Sequence, residues 1–220
     1  LKSSPFFIFV NKDTFKKTKP IKNSNSFDLS REEAISQTLS FLPDESLIVS
    51  TTGMCSRELY ELRVKKNSGN HRDFLTVGGM GHASQIALGI SKSLGDRFIF
   101  CFDGDGAALM HMGSLAIIGQ SKSKNFVHIL FNNGVHDSVG GQPTVGLDIN
   151  FCSISAACGY TFSRKVSSLK QLEKVLKNIK KNRGPYFIEV LVNPGSRNDL
   201  GRPNSSPSEN KELFMSFLKK

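Results

Sequence analysis

The sequence predicts an α/β fold, a doubly wound and mostly parallel sheet with helices on both faces, and three observations predict it. Short apolar runs of strand length alternate with segments of helical periodicity along most of the 220 residues. Those runs, at 47–49, 97–102, 126–131 and 186–192, are apolar at successive rather than alternate positions, the pattern of strands covered on both faces. The length suits one α/β domain or a large fragment of a multidomain enzyme.

Each element has its own signal. Residues 6–10, Phe-Phe-Ile-Phe-Val, read as an apolar strand, and 11–27, rich in Lys, Asn and Ser, as an exposed linker. The domain proper starts at Ser30, which with Glu33 matches a capping box, and Ala34, Ile35, Leu39 and Leu42 supply the apolar face of the helix that follows. After the strand at 47–49 come a helix near 56–62, a short strand near 74–77 and a Gly-rich helix near 81–93. A strong strand at 97–102 leads to one helix over 107–120, then to a strand at 126–131 and a helix at 151–158. A strand at 160–166 precedes Ser168 and Gln171, a second capping box, and an amphipathic helix carrying Leu169, Leu172, Val175, Leu176 and Ile179. Gly184-Pro185 stops that helix before the strand at 186–192. Residues 193–210 read as loop and 211–218 as a terminal helix, so the chain divides into 1–29, a domain over 30–192, and a tail over 193–220.

The net charge of +10 raises nucleic-acid binding as a function, but its location removes most of the force. Residues 1–25 carry +5, 164–183 carry +7 and 184–220 carry +1, which leaves −3 for the centre of the chain. The basic run follows the polar face of an amphipathic helix, and no aromatic-interleaved stacking platform accompanies it, so no nucleic-acid partner is expected. Cys55, Cys101, Cys152 and Cys158 form no CxxC pair and no Cys/His group at zinc spacing, and read as reduced structural thiols. No apolar run approaches the roughly 20 residues of a membrane span, so no membrane partner and a cytoplasmic location are expected.

The chemistry is placed in the stretch 98–144. A strand ends in Asp103-Gly104-Asp105-Gly106-Ala107 and a helix begins, which is where open α/β sheets bind ligands and where helix N–H groups meet phosphate. A carboxylate beside a phosphate needs a cation between them, so Asp105 points to Mg²⁺. The next strand ends in Asn132-Asn133-Gly134, 28 positions after Asp105, so one βαβ unit brings Asp105 and Asn133 to the same edge of the sheet. GxxxxGK[ST] and GxGxxG are both absent.

This GDG…NN arrangement resembles the signature of thiamine diphosphate enzymes, and residues 30–192 resemble their diphosphate-binding domain. The stretches STTGMCSRELYE, GGMGHASQIALGI, DGDGAALMHMGSLAIIG and NNGVHDSVGGQPT are similar to the phosphonopyruvate decarboxylase branch, with sulfopyruvate decarboxylases as near relatives. The resemblance implies thiamine diphosphate and Mg²⁺ as cofactors, with Asp105, Asn133 and the carbonyl of Val135 as metal ligands. Gly104, Gly106 and Ala107 would line the diphosphate, and Met80, between Gly79 and Gly81, would support the bent cofactor. Gly53 and Met54 would border the aminopyrimidine, with His82 beside the cofactor as a catalytic candidate.

The implied reaction converts 3-phosphonopyruvate, a 2-oxo acid, to phosphonoacetaldehyde and CO₂, a step of phosphonate biosynthesis. A phosphonate needs cations and hydrogen-bond donors, and the candidates are Arg57, Ser50, Thr51, Thr52, Ser138 and, as a further catalytic candidate, His136. His111 reads as structural, and His71 and His128 receive no role. The family draws a Glu from a pyrimidine-binding domain that residues before 30 do not supply. Residues 1–29 therefore read as a linker from such a domain, and a pyrimidine-binding partner and a homo-oligomer are expected. The β subunit of a sulfopyruvate decarboxylase is the alternative, and a non-catalytic cofactor- or nucleic-acid-binding module the alternative of another class.

Overall fold

The computed structural model describes residues 5–11, 14–15, 26–95, 97–180 and 183–219. In chain order the elements are α1 (Arg31–Ser40), β1 (Leu47–Ser50), α2 (Met54–Lys65), β2 (Asp73–Leu75), α3 (Ala83–Ser93), β3 (Ile99–Gly104), α4 (Asp105–Met110), α5 (Ser114–Ser121) and β4 (Phe126–Asn132). They continue with β5 (Val135–His136), a 3₁₀ turn (Asp137–Val139), β6 (Gln142–Pro143), α6 (Phe151–Cys158), β7 (Phe162–Val166), α7 (Leu169–Lys177), β8 (Tyr186–Leu191) and α8 (Pro207–Leu218).

The six longer strands make one sheet in the order β2-β1-β3-β4-β8-β7, parallel throughout. Its strands are buried on both faces, so they are apolar at successive positions. Ile48, Phe100, Phe102, Ile129, Phe131 and Ile188 face a core closed by α1, α2 and α7. Leu47, Val49, Ile99, Cys101, Leu130 and Phe187 face a second core closed by α3, α5, α6 and α8. The chain crosses from β1 outward to β2 and then back past β1 to β3, so the crossovers diverge between β1 and β3, the crevice where such sheets hold ligands.

Several elements differ from the sequence reading. The helix over 107–120 is two helices: His111, Met112 and Gly113 form tight i→i+3 turns to Ser114, Leu115 and Ala116, so the axis breaks after α4. The backbones of α5 and α6 touch at Gly119, where a Cβ would collide with the Cys158 carbonyl. Ser168 caps α7, but the Gln171 carboxamide returns to the Ser167 N–H, so the reciprocal half of that box is made one residue upstream. Helix α8 starts four residues early, behind a full capping box of Ser206 and Glu209 with Pro207 at its first position.

Residues 6–10 are not a strand. Their side chains are 53–90% exposed, and with no neighbouring strand to pair with, the backbone of an isolated apolar run gains nothing by extending into a ladder. Of the linker read at 11–27, residues 12–13 and 16–25 lie outside the described residues. No helix among the described residues is long and apolar enough to cross a membrane.

Candidate functional site

The carboxyl ends of β1, β3 and β4 open into one cleft. Strand β1 delivers Thr51 and Thr52, β3 delivers Gly104 and then Asp105, and β4 delivers Asn132 and Asn133. Asp105 is the first residue of α4 and is buried, and burial pushes its carboxyl above the ordinary carboxylate range against the opposing hydrogen bonds from Thr144 and Asn133. Asn133 N–H donates to Asp105 Oδ1 at 3.4 Å, the Thr144 hydroxyl donates to Oδ2, and the Val135 N–H donates to Asn133 Oδ1 at 3.0 Å. Val135 lies opposite Pro143 in a non-hydrogen-bonded pair, bracketed by the Thr144 N–H donating to the Gly134 carbonyl at 2.8 Å, so the ladder does not occupy the Val135 carbonyl. A carboxylate, a carboxamide oxygen and a backbone carbonyl thus gather at one turn, an all-oxygen donor set of the kind hard divalent cations take.

The two ends of the Asn133 amide are told apart by a buried chain of charges. Asn133 Nδ2 donates to Asp137 Oδ2 at 2.7 Å, and the same oxygen accepts from Arg31 at 2.9 Å. Arg31 is only 7% exposed and forks onto Glu58 at 2.8 and 3.0 Å; burial works against its charge, but the carboxylate bonds outweigh it and hold the guanidinium firmly protonated. With Nδ2 committed to Asp137, Oδ1 is the end left to accept from the turn.

A second polar string lies under the Gly104 turn. Asp103 accepts from the Gly104 N–H at 3.0 Å and from His128 Nε2 at 3.3 Å, and His128 Nδ1 lies 3.2 Å from the Tyr160 hydroxyl, all three side chains buried. Glu189, fully buried on β8, accepts from Asn132 Nδ2 at 2.8 Å, and that amide also donates to the Gly146 carbonyl, fastening the loop that carries Thr144.

Of the sequence-predicted residues, Thr51, Thr52, Met54, Met80, Gly104, Asp105, Gly106, Ala107, Asn133, Val135, His136 and Ser138 all line this cleft. The His136 ring rests against Gly106, where any Cβ would collide with it. Gly53 and Arg57 line a wider cavity that adjoins the cleft. Four residues line neither. The Ser50 hydroxyl is buried against Cys55 Sγ at 3.4 Å, which corrects its assignment to substrate. His82 is exposed, its ring held by the Gly79 carbonyl at 3.0 Å and by packing on the His111 ring at 4.3 Å. Gly79 and Gly81 flank Met80 without lining the cleft themselves. Cys55 does line it, but burial pushes its thiol up to about 12, so it is no nucleophile.

Sequence reasoning missed Arg31, Asp137, Thr144 and Glu189. Asp137 and Thr144 lie inside the NNGVHDSVGGQPT stretch and were legible as polar residues close to Asn133. Arg31 and Glu189 reach the site from 106 and 57 positions away in the chain, and no local pattern marks them.

Comparison with known proteins meets this geometry directly. Residues 51–190 match the family described as "Thiamine pyrophosphate enzyme, C-terminal TPP binding domain". The chain belongs to the thiamine pyrophosphate enzymes. It is 38% identical over 188 residues to a phosphonopyruvate decarboxylase of Streptomyces viridochromogenes, a match covering 86% of this chain and 46% of that protein. It is 32% identical over 193 residues to the sulfopyruvate decarboxylase subunit beta of Methanococcus maripaludis, covering 88% of this chain and all of that subunit. Benzoylformate decarboxylase from Polynucleobacter necessarius shares the fold, with a TM-score of 0.64, 18% identity, and coverage of 81% of this chain and 36% of that one. The chain spans about half the length of the phosphonopyruvate decarboxylases it matches.

The residues present fit a thiamine pyrophosphate enzyme. Besides the oxygen donor set at Asp105, Asn133 and Val135, Thr51 lines the cleft and its buried hydroxyl has no hydrogen-bond partner.

Proposed function

We propose that this chain is the diphosphate- and Mg²⁺-binding half of a 2-oxo acid decarboxylase that converts 3-phosphonopyruvate to phosphonoacetaldehyde and CO₂. The observation that carries the reading is its 38% identity to a phosphonopyruvate decarboxylase over 188 residues, 86% of the chain. Asp105, Asn133 and the Val135 carbonyl would hold Mg²⁺, and the backbone at Gly104, Gly106 and Ala107 would receive the diphosphate at the start of α4. Met80 would support the ring system and Met54 border it. Thiamine diphosphate, when bound, supplies a carbon nucleophile and a sink for the electrons released with CO₂.

The chain's own groups do the rest. Arg31 and Asp137 hold the Asn133 amide in the orientation that presents oxygen to the cation. His136, resting on Gly106 beside the cleft, is the group we assign to hydrogen-bond the substrate and carry a proton at its ring nitrogen. A pyrimidine-binding domain or subunit completes the site, the assembly is a homo-oligomer, and the enzyme is cytoplasmic.

The test is aldehyde formation by the active enzyme containing this chain, with thiamine diphosphate and Mg²⁺, from phosphonopyruvate, sulfopyruvate and pyruvate side by side. A strong preference for phosphonopyruvate that vanishes in Asp105→Ala is expected; no turnover of any of the three would sink the decarboxylase reading. A second reading, the β subunit of a sulfopyruvate decarboxylase, is favoured by the match to the whole of the M. maripaludis subunit, and a preference for sulfopyruvate would select it.

A further inference from the structure

Beside the cofactor cleft lies a cavity of about 490 Å³, walled by the start of α2, the end of β2 and the C-terminal segment that leads into α8. Two arginines line it, Arg57 from α2 and Arg202 from the C-terminal segment, and no carboxylate does. Among the described residues, neither of these arginines pairs with an acid, whereas Arg31 is held by Glu58 and Asp137, and Arg197 by Glu32, Glu61 and Asp199. Ser205 adds a buried hydroxyl with no partner. Two arginines with no acid partner, Arg57 half-buried and Arg202 exposed at the rim, lining one cavity that no carboxylate lines, suit it to an anion.

Arg202 does not sit on a free tail. The N–H of Gly201 donates to Glu61 on α2 at 2.7 Å, and the Asn210 side chain clamps β2 through the Leu75 N–H and the Asp73 carbonyl, each at 3.0 Å. The segment is therefore fixed against the same two elements that carry the rest of the cavity wall.

We propose that Arg202 and Arg57 form the pocket for the phosphonate group of the substrate, an inference that rests on the decarboxylase reading above. In phosphonopyruvate a single methylene separates the phosphonate from the keto carbon, so its pocket must adjoin the cofactor. This cavity does, because Thr52, Met80 and Ser138 line both it and the cleft. A phosphonate offers three acceptor oxygens and up to two negative charges, and the two guanidinium groups match that charge in sign and number while their N–H groups and the Ser138 hydroxyl supply donors.

Two measurements test this. Binding of methylphosphonate to the chain is followed by ³¹P NMR for wild type, Arg57→Gln, Arg202→Gln and Arg202→Lys. In the active enzyme, KM and kcat for phosphonopyruvate and pyruvate are compared across the same variants. Loss of one charged hydrogen-bonding partner should weaken methylphosphonate binding about 10- to 100-fold in each Gln variant, with partial retention in Arg202→Lys. KM for phosphonopyruvate should rise by a similar factor with kcat little changed, and the parameters for pyruvate should not move, a split that a general loss of structure would not produce. Unchanged binding and unchanged KM in Arg202→Gln would overturn the pocket even if the enzyme decarboxylates phosphonopyruvate. Arginine-dependent methylphosphonate binding in a protein that turns over no 2-oxo acid would leave the pocket standing and remove the decarboxylase reading.

Discussion

Asn133 carries an amide whose two ends are chemically opposite, and only its oxygen can face a cation. In the proposed site Oδ1 would be that end, because Nδ2 is committed to Asp137, itself pinned by Arg31 and by the Gly195 N–H at 3.0 Å. Outer partners of this kind set ligand orientation, and removing one lowers metal affinity by about 10- to 100-fold. Asp137→Ala should therefore weaken Mg²⁺-dependent thiamine diphosphate binding by a factor in that range, measured by calorimetric titration, while Arg31 keeps its Glu58 partner. Unaltered affinity would show that the amide is oriented by something else. At this scale Asp105 and Asn133 were legible, since strand ends one βαβ unit apart share an edge. Ser50 was misread because a polar residue at a strand terminus looks like a site residue until the chain is folded, and here the last ladder residue of β1 buries its hydroxyl against Cys55.

The start of α1 followed the sequence through its local cap. Ser30 and Glu33 form the box their spacing predicts, with Glu33 accepting from the Ser30 N–H at 2.9 Å. The start of α8 was missed although Ser206, Pro207 and Glu209 carry the same signal, because the Pro- and Ser-rich stretch around them reads as loop. The break between α4 and α5 was missed because it is made by three tight turns with no proline to announce them. The Ser30 box has a pH signature. The Ser30 hydroxyl and backbone N–H hold the Glu33 carboxyl below its ordinary value, so the stability it lends is fully present above about pH 4.5 and is lost as pH falls through the depressed value. Ser30→Ala should cost about 1 kcal/mol in urea denaturation near neutral pH. Glu33→Gln should flatten the fall in stability between about pH 5 and 3 relative to wild type, and an unchanged slope would dissociate Glu33 from that fall.

For the whole molecule, the sheet order follows from its crossovers, and the divergence between β1 and β3 puts Thr51, Asp105 and Asn133 on one rim. That architecture was readable from alternating apolar runs. The role of residues 193–219 was not, because a segment rich in Pro, Gly and Ser shows no pattern until Phe214 is seen in the core and Asn210 on β2. A rim built this way makes folding and ligand binding one linked equilibrium. Thiamine diphosphate at ten times its dissociation constant should stabilise the chain by about 1.4 kcal/mol, a rise of about 3–6 °C in the unfolding midpoint for a domain of this size. The rise should need Mg²⁺, disappear with a chelator and be absent in Asp105→Ala. Gly119→Ala supplies the contrast: its Cβ would press on the Cys158 carbonyl where α5 meets α6, lowering the midpoint of the free chain. Because that contact is remote from the strand ends, the Mg²⁺-dependent rise should survive in Gly119→Ala, and its loss there would mean that the observed shift reports general packing rather than occupancy of the cleft.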